Sequence, residues 1–141
     1  MTIAWDNRFN IGHSTIDAEH KALLIIINSI ELALNHPDDK ETLLYSINLL
    51  YEMAMDHFRY EEALLAKYTY QHLEQNSDGH KNLVIELHKA IDEIRTMIRK
   101  VAINTDDTLK LREYMSSLAN CWLLHLIQED LKMKEFIAGK Y

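Results

Sequence analysis

The sequence predicts an all-α protein, an up-down-up-down four-helix bundle preceded by an irregular N-terminal arm. Apolar residues recur at three- and four-residue steps through four long segments, which is the period of one face of an α-helix. Only three Gly and one Pro occur in 141 residues, so a fold with many tight turns between strands is disfavoured. This length suffices for one domain with a substantial core, and residues 1–141 are predicted to form a single domain.

The arm and the first two helices are predicted from breaks in this period. Residues 1 to about 15 lack it, and the first helix is expected to start within residues 14–17, capped by Ser14, Thr15 or Asp17. Pro37 lies in the break that follows. The second helix is expected from about Lys40 to Tyr68. The inward face of the first helix is predicted to carry Ile16, His20, Leu23, Ile27, Ile30 and Leu34.

The third and fourth helices are predicted in the same way. Residues 69–77 are expected to form a short connection or an irregular helix start, and Thr105 is the expected cap of the fourth helix. The inward face of the third helix is predicted to carry Asn76, His80, Leu83, Leu87, Ile91, Ile94 and Ile98. That of the fourth is predicted to carry Leu111, Met115, Leu118, Trp122, His125 and then Asp130.

Charge and cysteine content exclude several classes of function. The formal net charge of −7, without a basic block, argues against binding to nucleic acid or to an anionic membrane surface. The single Cys121 excludes an internal disulfide framework and indicates a reducing compartment. The first residues lack the pattern of a secretory signal, and no apolar run is long enough to cross a bilayer. A cytoplasmic location is therefore expected.

Polar residues interrupt the apolar faces at one predicted level of the bundle. In an up-down-up-down bundle, the starts of helices one and three lie beside the ends of helices two and four. A buried carboxylate without a partner is unfavourable, so a cation is expected at this level. The residues concerned are His20, His57, Glu61, His80, His125 and Asp130.

Imidazoles with two carboxylates in a bundle core are typical of a two-metal site. Glu61 and Asp130 could each bridge two cations about 3.5–4 Å apart. A ferritin-like di-iron site would need Glu-x-x-His pairs, and no Glu in this chain has His three residues later. A histidine-rich centre is the remaining arrangement.

Three motifs and one aromatic residue resemble the hemerythrin family, in particular its single-domain bacterial members. They are Trp5, Ile-Asp-Ala-Glu-His-Lys at 16–21, His-Phe-Arg-Tyr-Glu-Glu at 57–62 and His-Leu-Ile-Gln-Glu-Asp at 125–130. The resemblance implies two iron ions with an oxo or hydroxo bridge. It assigns His20 and His57 to one iron, His80 and His125 to the other, and Glu61 and Asp130 as bridges. In the family, the iron with fewer histidines has an open position for dioxygen.

Two positions depart from the family pattern. Asn76 stands where the family has the first histidine of His-x-x-x-His, and it could ligate metal, leave the position to water or leave it empty. Alternatively, Asn76 caps the third helix. Cys121 stands where the family commonly has Trp. Trp122 replaces a smaller aliphatic residue and is therefore expected to line the oxygen pocket.

Three functions remain open. The first is a di-iron protein that binds dioxygen for storage, delivery or sensing, which the resemblance favours over an enzyme. The second is a di-iron redox site that reduces peroxide or handles nitric oxide, and the third is a non-redox bundle holding zinc or one iron. No catalytic residue is assigned, and the expected partner is dioxygen, another small diatomic molecule or peroxide. The remaining histidines are expected on the surface or in loops: His13, His36, His72 and His88.

Overall fold

Four long helices form most of the computed structural model, which describes residues 3–138 and 140. They are α1 (Ser14–Ala33), α2 (Lys40–Lys67), α3 (Leu73–Ile98) and α4 (Thr105–His125). A π-helical turn (Leu126–Asp130), a 3₁₀ turn (Leu131–Met133) and the short α5 (Lys134–Ile137) follow α4. The described residues contain no strand. The prediction of an all-α four-helix bundle is confirmed.

Short connections give the bundle its antiparallel order. The segments 34–39, 68–72 and 99–104 are too short to carry the chain back along the bundle, so consecutive helices run in opposite directions. α1 packs against α2 and α4, and α3 packs against α2 and α4. The starts of α1 and α3 therefore lie at the same end as the ends of α2 and α4.

The arm is irregular, as predicted, and is attached to α1. Its only helical turn within the described residues is the 3₁₀ segment Asn7–Phe9. The N–H of Ile3 donates to Oδ1 of Asn28 at 3.0 Å, and Nδ2 of Asn28 donates to the carbonyl oxygen of Ile3 at 2.7 Å. Gly12 has φ +84°, a conformation that residues with a side chain rarely adopt, and it turns the arm into α1.

The cap of α1 differs from the prediction. His13 is the N-cap, and its Nδ1 accepts the N–H of Ile16 at 3.3 Å. Asp17, one of the three predicted caps, instead accepts the N–H groups of Ile11 and Gly12 at 2.8 and 3.1 Å. The predicted caps are wrong because the chain turns one residue earlier and Asp17 faces back toward the arm.

The caps of α2 and α4 are acidic and amide side chains. Asp39 accepts the N–H of Thr42 at 3.2 Å at the start of α2. At the start of α4, Asn104 accepts the N–H of Asp107 at 2.8 Å, and Asp107 accepts the N–H of Asn104 at 3.2 Å. This reciprocal capping box satisfies two backbone donors. The prediction of Thr105 as the cap is wrong by one residue, because Thr105 is already helical.

Buried apolar residues form two clusters of unequal size. The main cluster extends along all four long helices and includes Leu23, Phe58, Leu83 and Trp122. The smaller one, called the end cluster, consists of Ile11, Ile16, Leu64, Leu65, Tyr70, Met133 and Ile137. Along α1, His20 lies between Ile16 of the end cluster and Leu23 of the main cluster. The predicted polar level therefore separates the two clusters.

None of the helices in the described part of the chain combines the length and apolar character needed to cross a membrane.

Candidate metal centre

Glu61 is the most enclosed charged group in the bundle, and imidazoles from three helices contact it. It is fully buried, and its Oε2 lies 3.0 Å from Nε2 of His57 and 3.3 Å from Nε2 of His20. Its Oε1 lies 3.2 Å from Nε2 of His80. The spacing of four residues between His57 and Glu61 on α2 produces the first of these contacts directly. One carboxylate thus presents one oxygen to His20 and His57 and the other oxygen to His80.

Asp130 repeats this arrangement from the π turn. Its Oδ2 lies 3.4 Å from Nε2 of His20, and its Oδ1 lies 3.1 Å from Nε2 of His125. Asp130 is also buried, with 1% of its surface exposed. Both carboxylates therefore lie between the His20–His57 pair and the His80–His125 pair.

The π turn places the side chain of Asp130 on the same side of the helix as that of His125. The two residues are five apart, a separation that would turn their side chains away from each other on a regular α-helix. The wider turn Leu126–Asp130 brings both to the core side. The sequence prediction did not include this turn, although two inward polar residues five apart were the signal for it.

Gly79 makes room for the ring of His125. A Cβ on Gly79 would lie 2.1 Å from Nδ1 and 2.5 Å from Cε1 of His125, which is too close for atoms that are not bonded to each other. Gly79 lies within α3, where glycine destabilises a helix by about 1 kcal/mol relative to alanine. The helix thus contains an unfavourable residue at a turn that the His125 ring contacts.

Asn76 lies at the centre and does not cap α3. It is 1% exposed, its Nδ2 donates to Oδ1 of Asp130 at 3.1 Å, and its Oδ1 has no hydrogen-bond partner. The capping interpretation is wrong because α3 begins at Leu73, with His72 at the N-cap position. His72 is half-buried beside Tyr70, outside the group of residues that surround Glu61 and Asp130.

Trp122 borders an apolar cavity directly above the polar level. Its ring is buried and its centroid lies 6.2 Å from that of His20. The cavity has a volume of about 20 Å³, comparable with the space for one water-sized molecule. All its lining residues are apolar: Leu23, Ile27, Leu50, Ala54, Phe58, Leu83, Leu87, Leu118 and Trp122. Cys121, the neighbour of Trp122, is half-buried, and burial raises the pKa of its thiol.

Two carboxylates outside the buried set were missed by the sequence prediction. Glu19 Oε1 lies 3.0 Å from Nδ1 of His57, and Glu62 Oε2 lies 3.1 Å from Nδ1 of His80. Each of them is the sequence neighbour of a predicted site residue, His20 or Glu61. The pairing crosses from one helix to the next, so no spacing within a single helix could have shown it.

Burial and the neighbouring charges shift the pKa values of the centre in opposite directions. Burial lowers the pKa of His57, but the Glu61 carboxylate and the hydrogen bonds with Glu19 and Glu61 outweigh it and raise the pKa to about 10. Burial raises the pKa of Glu61, but His57, His20 and His80 together hold it well below its usual value. For His125, burial lowers the pKa while Asp130 raises it, and the net shift is upward. Without a metal, a proton on His57 therefore offsets the charge of Glu61.

The remaining histidines divide between the interior and the surface. His36 and His88 are exposed, as predicted. His13 lies in the loop before α1, one of the two predicted locations, but it is fully buried there and not at the surface. Its polar sequence neighbours suggested a loop at the surface, but the chain folds inward there, and the adjacent Ile11 belongs to the end cluster.

The residues present fit a bound cation. Four buried atoms that point into the centre make no well-aligned hydrogen bond, even where another polar atom lies 3.1–3.2 Å away: Glu61 Oε1, Asn76 Oδ1, His80 Nε2 and His125 Nε2. Two overlapping groups have ligand atoms close enough to hold a metal ion. They are His20, His57 and Glu61, and Glu61, His80, His125 and Asp130. Imidazole nitrogen and carboxylate oxygen are ligands for iron, zinc and manganese.

This arrangement defines a metal-binding helical bundle. The chain belongs to the hemerythrin family: residues 12–137 match the family model described as Hemerythrin HHE cation binding domain. A comparison with curated proteins gives no match.

Proposed function

We propose that the centre holds two iron ions and that the protein binds dioxygen there. His20 and His57 would bind one ion, His80 and His125 the other, and Glu61 and Asp130 would bridge them. The observation that supports this most directly is the position of the two buried carboxylates, each with one oxygen toward either histidine pair. Two cations would offset the charge of both carboxylates.

The apolar cavity supports dioxygen as the ligand. Iron, when bound, would supply the open coordination position and the electrons that dioxygen chemistry requires. Trp122 and Phe58 line the cavity, and Phe58 also stacks on His80 with ring centroids 4.2 Å apart. A small space without polar lining excludes water more readily than an apolar diatomic molecule. These side chains would therefore admit dioxygen and keep the centre dry.

Reduction of peroxide or handling of nitric oxide is a second candidate, and Asn76 favours it. Its buried Oδ1 is a weaker ligand than an imidazole. A position held by an amide or by water exchanges more readily, which would favour redox turnover over clean release of dioxygen. A metal-binding bundle without redox function is the third candidate.

Metal analysis separates the third candidate from the first two. The protein would be expressed in iron-rich medium, purified under nitrogen and analysed for iron, zinc and manganese. We expect about two irons per chain. A chain that retains zinc but less than one iron would contradict the proposal.

Optical spectra separate dioxygen binding from redox chemistry. The reduced protein would be exposed to oxygen and then flushed with argon. Spectral changes that reverse on flushing support dioxygen binding. Rapid irreversible oxidation, or turnover of added peroxide or nitric oxide, would favour the second candidate.

The bridging role is tested at Glu61. Glu61→Ala should lower iron content below two per chain and destabilise the loaded protein, because removal of one member of a buried charged set commonly costs about 3–5 kcal/mol. Glu52→Ala, at an exposed position on the same helix, is the control. If Glu61→Ala retains two irons and the melting temperature of the wild type, Glu61 is not a bridge.

A further inference from the structure

In the four histidines of the centre, Nδ1 is the ring nitrogen that points away from Glu61 and Asp130, and only two of these atoms have a hydrogen-bond partner. Nδ1 of His57 lies 3.0 Å from Glu19, and Nδ1 of His80 lies 3.1 Å from Glu62. Nδ1 of His20 and of His125 is buried without a hydrogen-bond partner. His57 and His80 belong to different histidine pairs, so each pair contains one imidazole whose Nδ1 has a partner and one whose Nδ1 has none.

The two supporting carboxylates also connect successive helices. Glu19 on α1 reaches His57 on α2, and Glu62 on α2 reaches His80 on α3. Their side chains are 32% and 33% exposed, in contrast to the buried Glu61. A substitution at either position therefore leaves no fully buried charge unpaired, and its effect can be measured in a folded protein.

We propose that Glu19 and Glu62 are positioning residues, each of which holds one histidine of one metal position in the orientation and tautomer that metal binding requires. The inference rests on the proposed function, because it concerns the same metal positions. A carboxylate that accepts from Nδ1–H keeps the proton on that nitrogen and leaves the lone pair of Nε2 free for the centre. Nε2 of both His57 and His80 faces Glu61, where the metal positions are proposed.

The pattern assigns one supporting carboxylate to each metal ion. Loss of Glu19 should loosen the ion held by His20 and His57 and leave the other in place. Loss of Glu62 should loosen the ion held by His80 and His125. Loss of a hydrogen-bond partner outside the ligand set typically weakens metal affinity by about 10- to 100-fold.

Metal retention under a chelator tests this assignment. Iron-loaded wild type, Glu19→Ala, Glu62→Ala and the double variant would be incubated with excess chelator under nitrogen, and iron would be measured over time. Each single variant should lose one iron about 10- to 100-fold faster than the wild type, and the double variant should lose both. Glu52→Ala should behave as the wild type.

Glutamine variants distinguish positioning from charge. Glu19→Gln and Glu62→Gln retain an oxygen that accepts from Nδ1–H but remove the negative charge. The Gln variants should therefore lose iron to the chelator much more slowly than the Ala variants. Gln variants that lose iron as fast as the Ala variants, or Ala variants that retain both irons, would overturn the proposal.

A readout without metal separates this proposal from the proposed function. In nuclear magnetic resonance spectra of the metal-free protein, Glu19→Ala should shift the Nδ1–H signal of His57 and leave that of His80 in place. Glu62→Ala should do the reverse. If the wild type binds no metal but the two variants show these shifts, the proposed function is refuted and the two hydrogen bonds are established. Unchanged signals in both variants would refute the positioning role itself.

Discussion

Gly79 illustrates how one absent side chain shapes the centre. The ring of His125 occupies the space that a Cβ at position 79 would need. In a sequence, glycine within a helical segment indicates only a less constrained backbone. Its role as the contact surface for His125 depends on how α3 and α4 pack, and no pattern within α3 reports that.

Gly79→Ala tests whether the position of the His125 ring matters for metal binding. Alanine favours the helix by about 1 kcal/mol, but its Cβ would force the buried His125 ring away from the centre, which commonly costs about 1–3 kcal/mol. The metal-free variant should therefore melt at or below the temperature of the wild type, and it should bind one fewer metal per chain. Thermal unfolding and metal analysis measure the two effects. Ser77→Ala on the same helix is the control, and full metal content in Gly79→Ala would show that His125 is not needed.

Asn76 occupies a position at which the resemblance to the family implies a histidine. Its side chain lies at the centre, hydrogen-bonded to Asp130, so a larger ligand at this position would reach the same place. Asn76→His should slow iron loss to a chelator by about tenfold and prolong the lifetime of the oxygenated protein, because imidazole is the stronger ligand. Equal iron loss and equal lifetime in the two proteins would mean that position 76 takes no part in metal binding.

At the scale of the elements, helical periodicity predicted each long helix and the face that it buries. The predicted second helix, from about Lys40 to Tyr68, ends one residue beyond the observed α2. The caps of α1 and α4 were wrong by one or more residues, because several neighbouring polar residues compete for the N-cap position and only the backbone turn decides among them. The π turn was missed because periodicity assumes a constant helical repeat.

Asn104→Ala tests the capping box at the start of α4. Loss of the side-chain acceptor should destabilise the protein by about 1 kcal/mol. Metal content should not change, since the start of α4 lies at the end of the bundle opposite to the centre. Denaturant unfolding and metal analysis measure these two quantities, and Glu113→Ala, at an exposed position further along α4, is the control. A stability equal to that of the wild type would show that water replaces the cap without cost.

At the scale of the whole molecule, the up-down-up-down order brings distant residues to one level. This order was predictable from four amphipathic segments with short connections, and it brought His20, His57, Glu61, His80 and the His125–Asp130 segment together without knowledge of any contact. The contacts of Glu19 and Glu62 were not predictable, because they depend on the rotation of neighbouring helices about their axes.

The metal-free protein is expected to lose stability as pH rises from about 6.5 to about 10. The folded pKa of His57 is about 10, above its unfolded value of 6.5. Its contribution is therefore complete below pH 6.5 and is lost as pH approaches 10, and the raised pKa of His125 acts in the same direction. The lowered pKa of Glu61 gives a contribution that is present above pH 4.5 and is lost as pH falls further.

Thermal unfolding at about pH 6 and about pH 9, at equal ionic strength, measures this dependence. The melting temperature of the metal-free protein should be lower at the higher pH. The metal-loaded protein should show a smaller decrease, because metal replaces the protons on the imidazoles. A metal-free protein that melts at a higher temperature at pH 9 would contradict the assignment of positive charge to His57.

The end cluster has a consequence for how metal enters and leaves. Ile11 from the arm, with Met133 and Ile137 from the segment after the π turn, covers the end of the bundle nearest to the centre. This cover is much smaller than the main cluster, so separating it from the bundle requires less free energy than unfolding all four helices. We therefore expect the rate of metal exchange to follow the local separation of this cover from the bundle and not the global stability of the fold.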